Sequence, residues 1–155
     1  MNYIIIGVIL VLPVVILCLV RPNAGRIFLG FFYLAMGIGV NLPLGLTNPQ
    51  MYVEMGKDAL IPLYRELFVQ VVALNPALFV LPIAAFQIAM GLLILNKQRY
   101  VKIGLIGTII FVIAITPLGI HQLPWLGLPL VQAFLLRKEF DRTFLEVLRS
   151  KLRPH

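Results

Sequence analysis

Five long runs of apolar residues, separated by short polar segments, make up most of this chain. They cover roughly residues 3–20, 27–46, 77–95, 103–120 and 122–136, and none contains Asp, Glu, Lys or Arg. A helix needs roughly 17–25 such residues to cross a bilayer. The pattern predicts an all-α integral membrane protein: a compact bundle of four core transmembrane helices plus an N-terminal transmembrane helix. The fifth run is short for a crossing and is adequate only if its helix continues into the basic segment that follows.

The segment 58–74, between the second and third runs, has a different pattern. Its polar positions Asp58, Arg65, Glu66 and Gln70 recur at helical spacing, and apolar residues occupy most of the others. This segment is too charged to cross a membrane. We expect an amphipathic helix that lies flat on the outer end of the bundle or in the outer leaflet.

The segment 137–155 is basic and places Phe140, Phe144 and Leu148 four residues apart. An apolar stripe with Lys and Arg on the other faces is typical of a helix that lies on a membrane surface and binds anionic lipid headgroups. We therefore predict a basic C-terminal surface helix. A helix that binds a protein partner is the alternative.

Positive charge is confined almost entirely to one side of the predicted bundle. Of the 13 Lys and Arg residues, all except Lys57 and Arg65 fall between the first two runs, in the turn after the third run, or after the fifth. Short loops that carry Lys and Arg stay in the cytoplasm. Five crossings with the N-terminus outside and the C-terminus cytoplasmic satisfy every loop, whereas four crossings would put basic clusters on opposite faces.

The composition narrows the class of protein. Residues are 61% hydrophobic and 12% charged, with a mean hydropathy of +0.99, whereas soluble domains are about 45–50% apolar and about 25% charged. The length suits one transmembrane domain over residues 1–155. The basic residues behind the net charge of +7 lie beside the spans. The sequence has no basic patch interleaved with aromatic residues, so we do not expect nucleic-acid binding. With Cys18 as the only cysteine and two distant histidines, the sequence predicts no metal site and no cofactor.

Small residues on two of the runs predict close helix packing. Ala35 and Gly39 on the second run, and Ala85 and Ala89 on the third, form small-xxx-small pairs. Such pairs let helix backbones approach closely in a membrane. The packing residues we expect are Gly30, Ala35, Gly37, Gly39, Ala85 and Ala89.

Four polar residues are candidates for binding a ligand. Arg65, Glu66 and His121 fall on outer segments and could converge over the mouth of the bundle, and Gln87 is the most polar side chain near mid-membrane. A histidine beside a carboxylate can perform acid–base work near neutral pH. The alternatives are a hydrogen-bonded loop histidine and a hydrogen bond between helices for Gln87. No carboxylate lies within a run, which counts against an ion-coupled transporter.

Two sequence stretches resemble the DoxX-like family of small bacterial membrane proteins. RIFLG at 26–30, followed by Met36-Gly37, is similar to the opening of the family's first conserved helix. QIAMGLLIL at 87–95 is similar to its helix with an acidic residue before Gly-Leu-x-Leu. The resemblance covers roughly 26–136, but Gln87 stands where the family often has Glu, and the N-terminal run adds a fifth span.

The resemblance implies a four-helix core in the bacterial plasma membrane and leaves three functions open. Members of the family include a subunit of a thiosulfate:quinone oxidoreductase and accessory proteins of oxidative-stress complexes. The leading hypothesis is a non-catalytic or accessory subunit of a membrane complex, with a membrane-protein partner or a second copy of the chain. A quinone-linked oxidoreductase component, with Arg65 near a small anion, is the alternative. A small-solute transporter ranks third.

Overall fold

The computed structural model describes residues 3–152 as an all-helical chain, with 87% of the residues in helices. No strand occurs within this range. The α-helices are α1 (Tyr3–Val20), α2 (Pro22–Leu34), α3 (Leu42–Thr47), α4 (Gln50–Lys57), α5 (Pro62–Gln70), α6 (Pro76–Leu95), α7 (Arg99–Ile115), α8 (Gly127–Leu136) and α9 (Phe144–Leu152). A π-helical segment (Ala35–Asn41) joins α2 to α3, and three 3₁₀-helices cover Val72–Leu74, Thr116–Leu118 and Ile120–Leu126.

Four of these helices are long and apolar enough to cross a membrane. They are Tyr3–Val20, Pro22–Thr47, Pro76–Leu95 and Arg99–Leu118. The second of these, called the second helix below, consists of α2, the π-helical segment and α3, and the fourth consists of α7 and the 3₁₀-helix that follows it. Leu, Ile and Val side chains cover their outward faces; Ile9 and Ile110, for example, are both more than 60% exposed. A soluble protein of this size rarely exposes so much apolar surface to water. The all-helical class predicted from the sequence is confirmed, and the four long apolar helices are compatible with the predicted membrane location.

The fifth apolar run combines two kinds of helix and is shorter than the other four. A 3₁₀-helix, Ile120–Leu126, leads directly into α8, Gly127–Leu136. The run packs along α1, and Pro124 lies against Gly7. Because a 3₁₀-helix rises about 2.0 Å per residue and an α-helix about 1.5 Å, the run extends about 29 Å. That length is close to the ~30 Å hydrocarbon core of a bilayer.

Glycines set the distance between the two most extensively packed helices, α2 and α6. A Cβ on Gly91 would lie 2.8 Å from the carbonyl oxygen of Gly30, and a Cβ on Gly37 would lie 2.9 Å from that of Ala84. Gly30 and Gly37 therefore lie in the helix contact, as expected. Every larger residue at Gly91 would push the two backbones apart.

The other small residues expected to pack lie on outward faces. Ala35, Gly39, Ala85 and Ala89 are exposed, and a Cβ on Gly39 would meet nothing within 4 Å. On α6, the alanine that is buried is Ala84, and not Ala85 or Ala89. These four positions do not pack against another helix of the described chain, so their role in helix packing applies only to contact with a partner.

The amphipathic segment 58–74 is shorter in helix than predicted from Asp58: it forms α5 and then the 3₁₀-helix Val72–Leu74. Helix α4 precedes it, residues 58–61 form a turn, and α5 begins at Pro62. The reason is local, because proline disfavours helical geometry in the residue before it. Ile61 is accordingly extended, with φ −103° and ψ 125°. Helices α4 and α5, called the cap below, close the end of the bundle opposite the basic clusters.

The C-terminal segment also differs from the continuous surface helix that its spacing predicts. Helix α8 ends at Leu136, the next seven residues are irregular, and α9 begins only at Phe144. Phe140, predicted on an apolar stripe facing lipid, is buried beneath the guanidinium of Arg26. The structure describes this segment as far as residue 152; the prediction for residues 153–155 lies outside the described residues.

Several contacts fasten this segment to the α6–α7 turn. The N–H of Gln98 donates to the carbonyl of Phe140 at 2.7 Å, and Lys97 pairs with Glu146 at 3.1 Å. Phe144 makes an edge-to-face contact with Phe31, with ring centroids 4.9 Å apart. The segment is therefore packed against the bundle, and only the outer face of α9 is left for lipid.

Candidate functional site

A cavity of about 550 Å³ lies within the bundle, directly below the cap. Its walls come from α2, α3, α6 and α7, and from the 3₁₀-helix before α8. Methionine and aromatic side chains, including Met36, Met51, Met55, Phe68, Phe79 and Phe111, share the lining with Val, Leu and Ile side chains. No charged residue lines it among the described residues. A volume in this range matches small-molecule sites.

The π-helical segment determines which residues of the second span face this cavity. A π-helix has more residues per turn than an α-helix and often occurs at functional sites. Within Ala35–Asn41, this wider winding brings Met36, Val40 and Asn41 to the cavity wall. Gly37, in the same segment, permits the close approach of α6. The segment therefore combines tight helix packing with a polar side chain inside the membrane-spanning region.

A chain of three neutral polar side chains crosses one wall of the cavity. The hydroxyl of Tyr52 donates to Asn41 Oδ1, and Asn41 Nδ2 donates to Gln87 Oε1. Asn41 and Gln87 are 7% and 3% exposed. The chain links the cap to the long second helix and to α6. It ends at the amide nitrogen of Gln87, which lines the cavity and donates no hydrogen bond within residues 3–152.

Tyr52 is well suited to donate the first hydrogen bond in this chain. It lies on α4, outside the membrane-spanning helices. Burial raises the pKa of the Tyr52 hydroxyl above its ordinary value of 10.0, because a phenolate loses its hydration in an apolar surrounding. At neutral pH the side chain therefore keeps its proton.

Gln122 and Trp125 line the cavity from the 3₁₀-helix before α8. Within residues 3–152, neither side chain takes part in a hydrogen bond. The indole of Trp125 stacks on Phe32, with ring centroids 5.9 Å apart. Trp125 is the only tryptophan in the chain, so its fluorescence reports on the cavity alone.

A second polar pair lies below the cavity and ties the second helix to α8. Gln132 Nε2 donates to the hydroxyl oxygen of Tyr33 at 2.9 Å, and both residues are almost fully buried. Gln132 Oε1 is buried without a partner in the described part of the chain. Tyr33 also lines the cavity, so this pair forms a polar point on its floor.

Of the four residues predicted to bind a ligand, only Gln87 lines the cavity. Arg65 and Glu66 are exposed on α5, and His121 is half-buried beside Gly119. The structure does not bring these three side chains together at the cavity. Residues 3–152 also contain no group of three or more His, Cys, Asp or Glu side chains that could hold a metal ion.

The sequence interpretation missed most of the polar lining. Asn41 carried a weak signal, as an amide within an apolar run, but nothing in the pattern paired it with Gln87. Tyr52 and Gln122 carried none, because tyrosine and glutamine are ordinary residues in the segments between spans. Trp125 gives no signal for a cavity either, because tryptophan near the end of an apolar run is common at membrane interfaces.

Comparison with family models, with curated proteins and with solved structures gives no match to this chain. The resemblance to the DoxX-like family stays a proposal that rests on the motifs at 26–30 and 87–95. The cavity and its polar chain are described from this structure alone.

Proposed function

We propose that this protein is an accessory subunit of a bacterial inner-membrane complex and holds an uncharged, lipid-soluble small molecule in its cavity. One observation carries the proposal: the cavity is large, apolar and free of charge in its described lining, with a short chain of neutral polar groups on one wall. Binding sites for small molecules commonly combine apolar walls with a few fixed polar groups.

The lack of charge in the lining defines the ligand. An ion would lose its hydration on entering and would meet no opposite charge, which costs far more than neutral contacts recover. An apolar molecule that is already dissolved in the bilayer loses little on entering. Met36, Met51 and Met55 adapt their shape to an irregular ligand, as flexible thioether side chains do.

The accessory role is supported by the outward faces of the second helix and α6. Ala35 and Gly39 on one, and Ala85 and Ala89 on the other, are exposed small residues. Such residues allow a neighbouring membrane helix to approach closely. The DoxX-like resemblance supports the same conclusion, because members of that family work as subunits of larger complexes.

The ligand is tested by purifying the protein in mild detergent and analysing an organic extract by mass spectrometry. We expect a lipid-soluble compound at close to one molecule per chain. Ile83→Trp places a large side chain on the cavity wall and should reduce the bound compound at least tenfold. Ile110→Trp makes the same change on an exposed face of α7 and should leave it unchanged. Equal amounts in both variants would contradict the proposal.

The partner is tested separately, by native purification from the host membrane. The accessory role predicts a stoichiometric membrane-protein partner or a second copy of the chain. Replacing Ala89 by Trp should weaken that association, whereas the Ile83→Trp variant should keep it. A monodisperse single chain would contradict the accessory role and leave ligand binding untouched.

A quinone-linked oxidoreductase component is the second candidate. The aromatic lining, with Phe32, Phe79 and Phe111 around an apolar space, suits the flat ring of a quinone. We expect quinone reduction to depend on Gln87, which lines the cavity, and to be insensitive to Arg65→Ala and His121→Ala, which lie outside it. If the purified protein reduces no quinone with any sulfur donor, this candidate fails and the accessory role stands.

A further inference from the structure

We infer that the ligand carries a carbonyl group, and that the amide nitrogen of Gln87 donates a hydrogen bond to it. The inference rests on the proposed function and identifies the chemical class of the molecule in the cavity. It comes from the direction of the hydrogen bonds in the polar chain and from the character of the surrounding wall.

The chain runs in one direction and leaves a donor at its inner end. Tyr52 donates to the oxygen of Asn41, and the nitrogen of Asn41 donates to the oxygen of Gln87. Each of these two amide oxygens therefore already accepts one hydrogen bond. The Gln87 nitrogen carries two N–H groups and has no acceptor among the described residues, although Gln87 itself is only 3% exposed and lines the cavity.

A donor in such a place requires an acceptor. An N–H that faces an apolar cavity without a partner is costly, because polar groups away from bulk water are nearly always paired in folded proteins. The rings and aliphatic side chains of the lining offer no strong acceptor, and the other free amide in the lining, that of Gln122, belongs to the 3₁₀-helix before α8. Water is a poor substitute, because a cavity with apolar walls does not hold it well and an ordered water needs two to four polar partners.

The same geometry favours a carbonyl over a hydroxyl on the ligand. A hydroxyl would accept from Gln87 but would bring a donor of its own into the cavity. That donor would have to share the oxygen of Asn41 or Gln87, each of which already accepts a hydrogen bond from within the chain. A carbonyl has only acceptor sites, so it completes the chain without adding an unpaired donor.

The inference is tested with three probes that share one flat ring system: fluorenone with a carbonyl, fluorenol with a hydroxyl, and fluorene with neither. Their dissociation constants for the full-length protein in detergent are measured by equilibrium dialysis. We expect fluorenone to bind about tenfold more tightly than fluorene, the effect of about one neutral hydrogen bond. Fluorenol should lie between them.

The decisive comparison uses Gln87→Leu and, as a variant of similar shape, Gln87→Met. Each should remove the preference for fluorenone while leaving the affinity for fluorene unchanged, which also shows that the cavity is intact. The exposed Gln70 on α5 provides the matched control, and Gln70→Leu should keep the full preference. Taking ratios of affinities cancels the different solubilities of the probes in detergent.

The outcomes separate this inference from the proposed function. If fluorene and fluorenone bind equally to the wild-type protein, or if fluorenol binds most tightly, the carbonyl inference is overturned and lipid-soluble binding stands. If the preference for fluorenone survives in Gln87→Met, Gln87 is not the donor and the inference is overturned as well. If none of the probes binds, both are overturned.

Discussion

The guanidinium of Arg26 lies fully buried at the basic end of the bundle, and it joins three parts of the chain. It donates to the carbonyls of Ile94 at 3.0 Å and of Asn96 and Arg142 at 2.5 Å. Asn23 accepts a further bond from its Nε. The first two carbonyls belong to the C-terminal end of α6, where the helix dipole favours positive charge. The carbonyls thus take the place that a carboxylate has in an ion pair.

Replacing Arg26 by Met should lower the free energy of unfolding by about 2 kcal/mol, because buried carbonyls lose their donor. SDS titration of the purified protein, followed by circular dichroism, measures this change. Arg21→Met is the matched control, since Arg21 is exposed at the same end and should change the value by less than about 0.5 kcal/mol. Equal effects of the two substitutions would show that charge alone, and not the carbonyl contacts, matters at position 26.

Single residues also show where the sequence was informative and where it was not. The alternative expected for Gln87, a hydrogen bond between helices, is what the structure shows, because an amide deep in an apolar helix needs a polar partner. Its partner Asn41 was not predictable. Asn41 is the last residue of the π-helical segment, and a helical period of 3.6 residues puts it on the wrong face of the helix there. The burial of Arg26 was not predictable either: its acceptors are backbone carbonyls, which no side-chain pattern reveals.

At the scale of helices, the contact between the second helix and α6 depends on Gly91. Gly91→Val should cost about 2 kcal/mol of stability, because its added carbons would meet the Gly30 carbonyl and force the helices apart. Ala89→Val, on the exposed face of the same helix, is the control and should be close to neutral. Unfolding in mixed micelles measures both. A neutral Gly91→Val would mean that these helices are not in contact.

Helix α9 begins with a reciprocal pair of hydrogen bonds that makes its start sensitive to acid. The N–H of Thr143 donates to Glu146 at 2.8 Å, and the N–H of Glu146 donates to the Thr143 hydroxyl at 3.2 Å. The Thr143 N–H, followed by Lys97, holds the pKa of Glu146 below its usual value of 4.5. The stabilisation is therefore complete above about pH 4.5, and it is lost as the pH falls through the lower pKa of the folded state.

We expect α9 to come away from the bundle in acid, below about pH 4.5, as Glu146 takes up a proton. A nitroxide label at position 149, with Cys18 replaced by Ser, should become more mobile in that range. Glu146→Gln keeps a side chain that can cap the helix but does not titrate, so its label should show no such step. An identical step in both proteins would show that protonation of Glu146 does not cause it.

The helices themselves were largely predictable, and the connections between them were less so. Uncharged runs of about 20 residues have few alternatives to a membrane helix, so the starts and ends of the spans agree with the structure to within a few residues. The cap and α9 were harder, because apolar spacing does not show where a short helix is interrupted. Pro62 and the Thr143-x-x-Glu146 pattern indicate where α5 and α9 begin. The spacing of apolar residues alone does not show these helix starts.

In the whole molecule, the contacts of Arg26 show that the three basic clusters lie at one end of the bundle. Arg26 lies between the first two apolar runs and donates to Asn96, which begins the basic α6–α7 turn, and to Arg142 in the basic C-terminal segment. Lys57 and Arg65 lie on the cap, at the other end. The contact between Gln98 and Phe140 also requires the α6–α7 turn and the C-terminal segment to share one side. The fold therefore has the charge distribution from which five crossings were predicted.

From that distribution we predict the orientation in the membrane, because a loop rich in Lys and Arg is retained in the cytoplasm. In a protein with Cys18 replaced by Ser, a cysteine at position 57 or 65 should react with a membrane-impermeant thiol reagent in intact spheroplasts. A cysteine at 98 or 150 should react only after the membrane is opened. All four positions are exposed in the folded chain, so access to the reagent, and not burial, decides the result. Labelling at 98 from outside would mean that the orientation is inverted. Labelling at 150 but not at 98 would mean four crossings and would contradict the contact between Gln98 and Phe140.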